Sequence, residues 1–192
     1  MKTALLPTPT VELVKAECDA FDRENQLIEE ALGQLRARFP HNTETSHVLL
    51  KVLVLNKLYN TWVLDKDVES LARHIAGLDI DPRLSKCSLD AVAKIFVCPG
   101  LNRKYYSFAT KFCSWHNPEA YPIYDSYAVE CLWAYRKQDH FAEFLRQDLW
   151  CYEKFVATVT AFRNYYKLNC FTFRWLDKFL YRLGGRILRA AS

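Results

Sequence analysis

Apolar side chains recur at three- and four-residue steps along almost the whole chain. Few residues interrupt the run: there are 5 glycines and 7 prolines in 192 residues. A period near 3.6 puts such positions on one side of an α-helix, and scarce breakers leave room for long elements. Val48, Val52, Leu55, Tyr59 and Trp62 show the pattern; read as one helix, they share a face. No stretch alternates apolar and polar residues for long enough to read as a strand, and no internal repeat is present. The expected fold is all-α, a compact bundle of about eight to nine helices, forming a single helical domain over residues 1–192 with no linker long enough to divide it.

The breakers place the elements. Val11 to Arg38 reads as one or two helices, stopped by Phe39-Pro40, and residues 43–46 offer caps for the next. Asp65 or Asp67 opens a helix ending at Gly77, Asp81-Pro82 makes a turn, and Ser88 caps a helix over 89–97 that stops at Pro99-Gly100. Further helices are predicted over 103–115, from Asp125 or Ser126 to Arg136, and over 140–147, 151–167 and 173–183, the last stopped by Gly184-Gly185.

Hydrophobic residues make up 51% of the chain, enough for a full core. The longest apolar stretches, such as 48–55, are broken by Lys51 and fall far short of the about 20 residues a membrane helix needs. The opening MKTALLPTPT does not read as a signal peptide, so a cytoplasmic location is expected. The 7 cysteines are odd in number and none are spaced as C-x-x-C. They read as reduced thiols, mostly in the core, and not as a zinc or iron–sulfur site.

Charge is unevenly spread. Net charge is +4, yet residues 160–192 hold Arg163, Lys167, Arg174, Lys178, Arg182, Arg186 and Arg189 against one acid, Asp177. Such asymmetry points to a surface facing a polyanion. From Arg174 to Arg189 the cations form one helical stripe, suited either to tracking phosphates or to an ordinary solvated face.

Residues 97–127 are the most informative segment. A helix ends at Pro99-Gly100, and another is expected to begin at Arg103, making a helix–hairpin–helix. Gly100 adopts a left-handed backbone freely and Asn102 tolerates one. A turn of this kind aims amides outward at a helix N-terminus and suits one phosphate, or it is a plain tight turn.

Pro99-Gly100-Leu101-Asn102-Arg103-Lys104 resembles the hairpin of the helix–hairpin–helix DNA glycosylases, and Tyr121-Pro122-Ile123-Tyr124-Asp125 resembles their aspartate loop. Phe108-Ala109-Thr110-Lys111-Phe112, taken with Pro122 to Asp125, is similar to small bacterial proteins with an 8-oxoguanine DNA glycosylase-like fold. Asn102 stands where the family has its second hairpin glycine, and the cysteine cluster of its iron–sulfur members is missing.

The resemblance implies a protein that binds duplex DNA, extrudes a modified base into a pocket between two helical subdomains and excises it, with no required cofactor. Asp125 would stabilise the developing sugar cation, if it is not a plain N-cap. Lys111 or Lys104 would supply an amine nucleophile or a base contact, if neither is simply solvated. Asn60 would fill the gap left by the flipped base. Gly100, Asn102 and Arg103 would hold a phosphate. Trp115 would stack and His116 would touch a phosphate or base edge, if they are not core residues. Arg174, Lys178 and Arg182 would track the backbone. The alternative is a non-catalytic DNA-binding or interaction module of the same fold, for example in phage defence or regulation; a third reading is a purely structural helical protein.

Overall fold

The structure, a computed structural model, describes residues 5–191. Residues 1–4, part of the opening read for a signal peptide, lie outside the described residues. The described chain is all-helical: α1 (Val11–Arg38), α2 (Thr45–Leu58), α3 (Asp65–Gly77), α4 (Asp81–Ser85), α5 (Asp90–Phe96), α6 (Tyr106–His116), α7 (Ser126–Asp139), α8 (Tyr152–Tyr165) and α9 (Phe173–Ala191), with a short 3-10 helix at Arg146–Trp150. None of these helices is long and apolar enough to cross a membrane.

The helices form two compact units. One comprises Met1–Glu24 with Pro122–Ser192, the other Asn25–Tyr121. The boundary falls inside α1, whose residues 11–24 belong to the first unit and 25–38 to the second. In the first unit α7 packs along α9 over Leu132, Tyr135, Phe155, Phe162, Leu176 and Phe179, all fully buried. In the second, α2, α3, α5 and α6 enclose Val52, Leu55, Leu71, Ile75, Ile95, Phe108 and Phe112, also fully buried. Removing a side chain of this size from water contributes about 1.5–3 kcal/mol, which offsets the entropy of ordering the chain.

Several boundaries differ from the sequence expectation. Gly184-Gly185 does not stop α9, which runs on to Ala191. A Cβ on Gly184 would overlap the Tyr127 carbonyl of α7, so this glycine permits a close helix crossing. Asp81-Pro82 opens α4 instead of making a bare turn, with proline in the first turn where its missing N–H costs nothing. Residues 140–145 form no helix: His140 takes a left-handed backbone (φ 50°) that caps α7, and the apolar Phe141 and Phe144 are buried from a loop. α2 stops at Leu58, so Trp62 does not share the face of Val52 and Leu55.

Candidate nucleic-acid interface

Two loops of the second unit are joined at one residue. The first, over 59–64, replaces the helical continuation expected of α2. Asn60 and Trp62 both have left-handed backbones (φ 48° and 59°), a region disfavoured for a bulky side chain. Asn56, in the last turn of α2, holds the loop in place. Its Oδ1 accepts from the Thr61 hydroxyl (2.8 Å) and the Val63 amide (2.9 Å), and its Nδ2 donates to the Val63 carbonyl (2.8 Å). Trp62 is left 75% exposed and Leu64 39%.

The second loop, over 97–105, joins α5 to α6. Gly100 has the expected left-handed backbone (φ 82°), but Asn102 does not. α6 begins at Tyr106, three residues later than Arg103, so the amides of residues 100–103 precede the helix instead of forming its N-terminus. The phosphate cradle expected there is not formed in that way. What the loop presents is side chains: Asn102, Arg103 and Lys104 are exposed. The Arg103 guanidinium lies 5.8 Å from the Tyr105 ring and the Lys104 ammonium 5.5 Å from the Phe96 ring.

Tyr105 is the tie. Buried beneath the loops, its hydroxyl donates to Asp67 Oδ2 (2.5 Å) and accepts from the Leu64 amide (3.3 Å). Burial, then the hydrogen bond to Asp67, push the Tyr105 hydroxyl above its ordinary pKa, so it stays a donor. Asn60, Gly100, Asn102, Arg103 and Lys104 are thereby gathered on loops that share an anchor.

Of the other expected residues of this unit, Lys111 and Trp115 lie in its interior and His116 is half-buried. Lys111 is 7% exposed and its ammonium donates to the Tyr59 carbonyl (3.1 Å) at the C-terminus of α2, where the helix dipole favours a cation. Trp115 is a core tryptophan: it is 7% exposed, and its indole donates to the Leu32 carbonyl (3.3 Å). The Nε2 of His116 is buried without a hydrogen-bond partner, and burial, then the charge of Lys51, pull its pKa down to about 3. The Trp115 ring is closed to a base or phosphate, whereas His116 is half-buried with its Nε2 turned inside. Lys51, fully buried, donates to the His41 carbonyl and Asn42 Oδ1 (both 2.8 Å), and desolvation lowers its pKa to about 8 against the opposing pull of Asp81.

In the first unit Asp125 is the N-cap of α7. Its Oδ1 accepts from the Ala128 amide (2.8 Å), and its own backbone is extended. The basic stripe of α9 is largely matched to α1. Lys178 pairs with Asp22 (2.5 Å), Arg182 with Glu17 (2.8 Å) and Glu24 (2.6 Å), and Arg186 with Glu17 (2.6 Å). Arg174 lies 5.7 Å from the Phe21 ring. The open polyanion-tracking face expected of Arg174, Lys178 and Arg182 is therefore a helix–helix contact, because the acids of α1 lie opposite it. No group of three or more His, Cys, Asp or Glu among the described residues is placed to hold a metal ion.

Comparison with known proteins places the chain. A family model, HI_0787_N, described as an N-terminal domain, matches residues 12–120. An uncharacterized protein of Haemophilus influenzae is 35% identical over 176 residues, covering 89% of this chain and 83% of the relative. The chain belongs to the HI_0787_N family. No solved structure matches it. The HI_0787_N match ends one residue before the second unit does at Tyr121, so the family region takes in all but the last residue of that unit and both of its joined loops.

Sequence reasoning chose none of Trp62, Tyr105 and Asn56 as a site residue: spacing put Trp62 on a helix face and Tyr105 only among several crowded tyrosines. For the first, the signal was present: Asn60 is a residue that tolerates a left-handed backbone, and the β-branched Thr61 and Val63 flank the tryptophan. Nothing local singles out Tyr105, whose partners are 38 and 41 residues away.

Proposed function

We propose that this chain is a DNA-binding, glycosylase-like protein. Its second unit engages duplex DNA through the joined loops 59–64 and 97–105; in the first unit, Asp125 is the carboxylate suited to stabilising the sugar cation that forms as a modified base departs. The observation that carries the reading is the Tyr105 tie. It sets an exposed tryptophan loop and an exposed Arg103–Lys104 pair on one anchor, and nucleic-acid surfaces combine cations and aromatics in this way.

Asp125 supports the chemical half of the reading. Its carboxylate sits at a helix N-terminus, where the dipole favours negative charge. As the C1′–N bond breaks, the electron pair leaves with the base and positive charge develops on the sugar; a carboxylate there lowers the barrier. Lys111 supports hydrolysis by water over attack by an amine. Its ammonium is occupied at the α2 C-terminus, whereas a Schiff base needs a free, neutral amine. A second reading, the same fold as a non-catalytic binding module, is favoured by the capping bond that Asp125 already makes to Ala128.

The test uses fluorescently labelled duplexes carrying 8-oxoguanine, uracil or an abasic site, read for both binding and base release. Asparagine is also a good N-cap, so Asp125→Asn should fold normally. It is expected to lose at least about 100-fold in base release while keeping DNA affinity within about twofold. Replacing Arg103 and Lys104 by alanine should weaken every duplex alike and lower the salt slope by about two. Borohydride should trap no adduct. Binding without release from any substrate would select the non-catalytic module, and no binding even at low salt would end both readings.

A further inference from the structure

Trp62 is an unusual tryptophan. It is the most exposed large aromatic side chain among the described residues, at 75%. Its backbone lies in the left-handed region (φ 59°), which glycine or asparagine would occupy at lower cost. The loop that forces this conformation is not slack. Asn56 makes three side-chain hydrogen bonds to residues 61 and 63, and Lys111 binds the Tyr59 carbonyl at its entrance. An apolar ring left in water gains nothing from hydration, and backbone strain persists only where the surroundings impose it. Here the imposed strain presents a rigid indole to solvent.

The ring's neighbours in sequence and space narrow its ligand. Lys57 and Lys66 flank the loop in sequence and are exposed, as is Asp65 between them, and on the loop tied to this one by Tyr105 the exposed Arg103 and Lys104 carry no neighbouring acid in sequence. An exposed flat apolar face on one loop, with the Arg103–Lys104 pair on the loop anchored to it, fits a flat ring carried on an anionic chain, which is the chemistry of an unpaired nucleotide. Bases in intact duplex hide their faces in the stack. Bases in a single strand, or at a gap, expose them.

We infer that Trp62 is a stacking platform for an unpaired nucleobase, and that the second unit prefers single-stranded or gapped DNA to intact duplex. This rests on the nucleic-acid reading above and adds to it the structural state of the DNA.

The test measures binding of the full chain to three probes by fluorescence anisotropy: a labelled 20-nucleotide single strand, the intact duplex, and that duplex with a short gap. The wild type should bind the single-stranded and gapped probes more tightly. Trp62→Ala should weaken those two by roughly 5- to 150-fold, the range that base–aromatic stacking supports, and weaken the intact duplex by a clearly smaller factor. Trp62→Phe should recover much of the loss. Trp62→Gly, which relieves the strained backbone, should melt no lower than wild type yet bind the single strand as poorly as Trp62→Ala; this separates lost stacking from lost folding.

Equal losses on all three probes, or none, would overturn the inference and leave the duplex reading standing. So would a dimer that Trp62→Ala converts to monomer, since the ring would then serve a second copy of the chain. Failure to bind any probe at low salt would remove both.

Discussion

Lys51 and His116 face each other's charge in the interior of the second unit, and both are held away from their ordinary protonation behaviour in ways that can be measured. For Lys51 the folded pKa is lowered to about 8 from 10.5, chiefly by burial. Between those values the unfolded chain binds more protons, so stability should rise with pH across pH 8–10.5, by at most about 1.4 kcal/mol per unit for this group. Wild-type protein compared with Lys51→Met in thermal melts from pH 8 to 9.5 should show the rise only with the lysine present. The variant should also be less stable at pH 9.5, because the His41 carbonyl and Asn42 Oδ1 lose their donor. His116 has the same sign in a lower window. Its folded pKa is about 3 against 6.5, so stability is present above pH 6.5 and is lost as pH falls toward 3. His116→Phe should flatten the acid limb of the stability curve between pH 4 and 6.5, since Nε2 has no partner to lose.

At the scale of elements, α7 against α9 and α1 against α9 set the architecture of the first unit. Gly184 is decided by the α7 crossing. An added methyl would meet the Tyr127 backbone and not a movable side-chain tip, so Gly184→Ala should destabilise by about 1–3 kcal/mol in denaturant melts despite alanine's better helix propensity. A small or favourable change would show that α9 shifts freely against α7. On its other side, Arg182 bridges Glu17 and Glu24 with a side chain only 17% exposed. Arg182→Ala should cost about 1–3 kcal/mol and, on the proposed DNA-binding reading, change affinity for DNA by less than about twofold, since the arginine is engaged within the fold. A large loss of DNA affinity at unchanged stability would return α9 to the binding surface. These contacts explain why a basic stripe read from sequence misleads: spacing along one helix records which cations share a face and is silent on what that face meets.

For the molecule as a whole, helical class, the absence of strands among the described residues and most helix positions were legible in the chain. Spacing and breakers act within a few residues of each other. α3, α5 and α7 begin within about a residue or two of where caps and acids predicted. Two helical subdomains were implied by the resemblance, but where the chain divides was not legible, because no linker marks it; the boundary lies within a continuous helix, and the first unit is assembled from both parts of the chain. The candidate interface was half legible. Asn60, Gly100, Asn102, Arg103 and Lys104 were named from sequence, but Trp115 lies inside, His116 is half-buried, and Trp62 was assigned to a helix face that ends four residues before it. The sequence by itself determined local geometry, since the 3.6-residue period and the scarcity of glycine and proline leave the backbone little else to do. Only the tertiary structure decided which charges are free and which aromatics are exposed. The Tyr105 tie, the pairing of α9 with α1 and the burial of Lys51 each depend on groups brought together by folding, at separations no local pattern records.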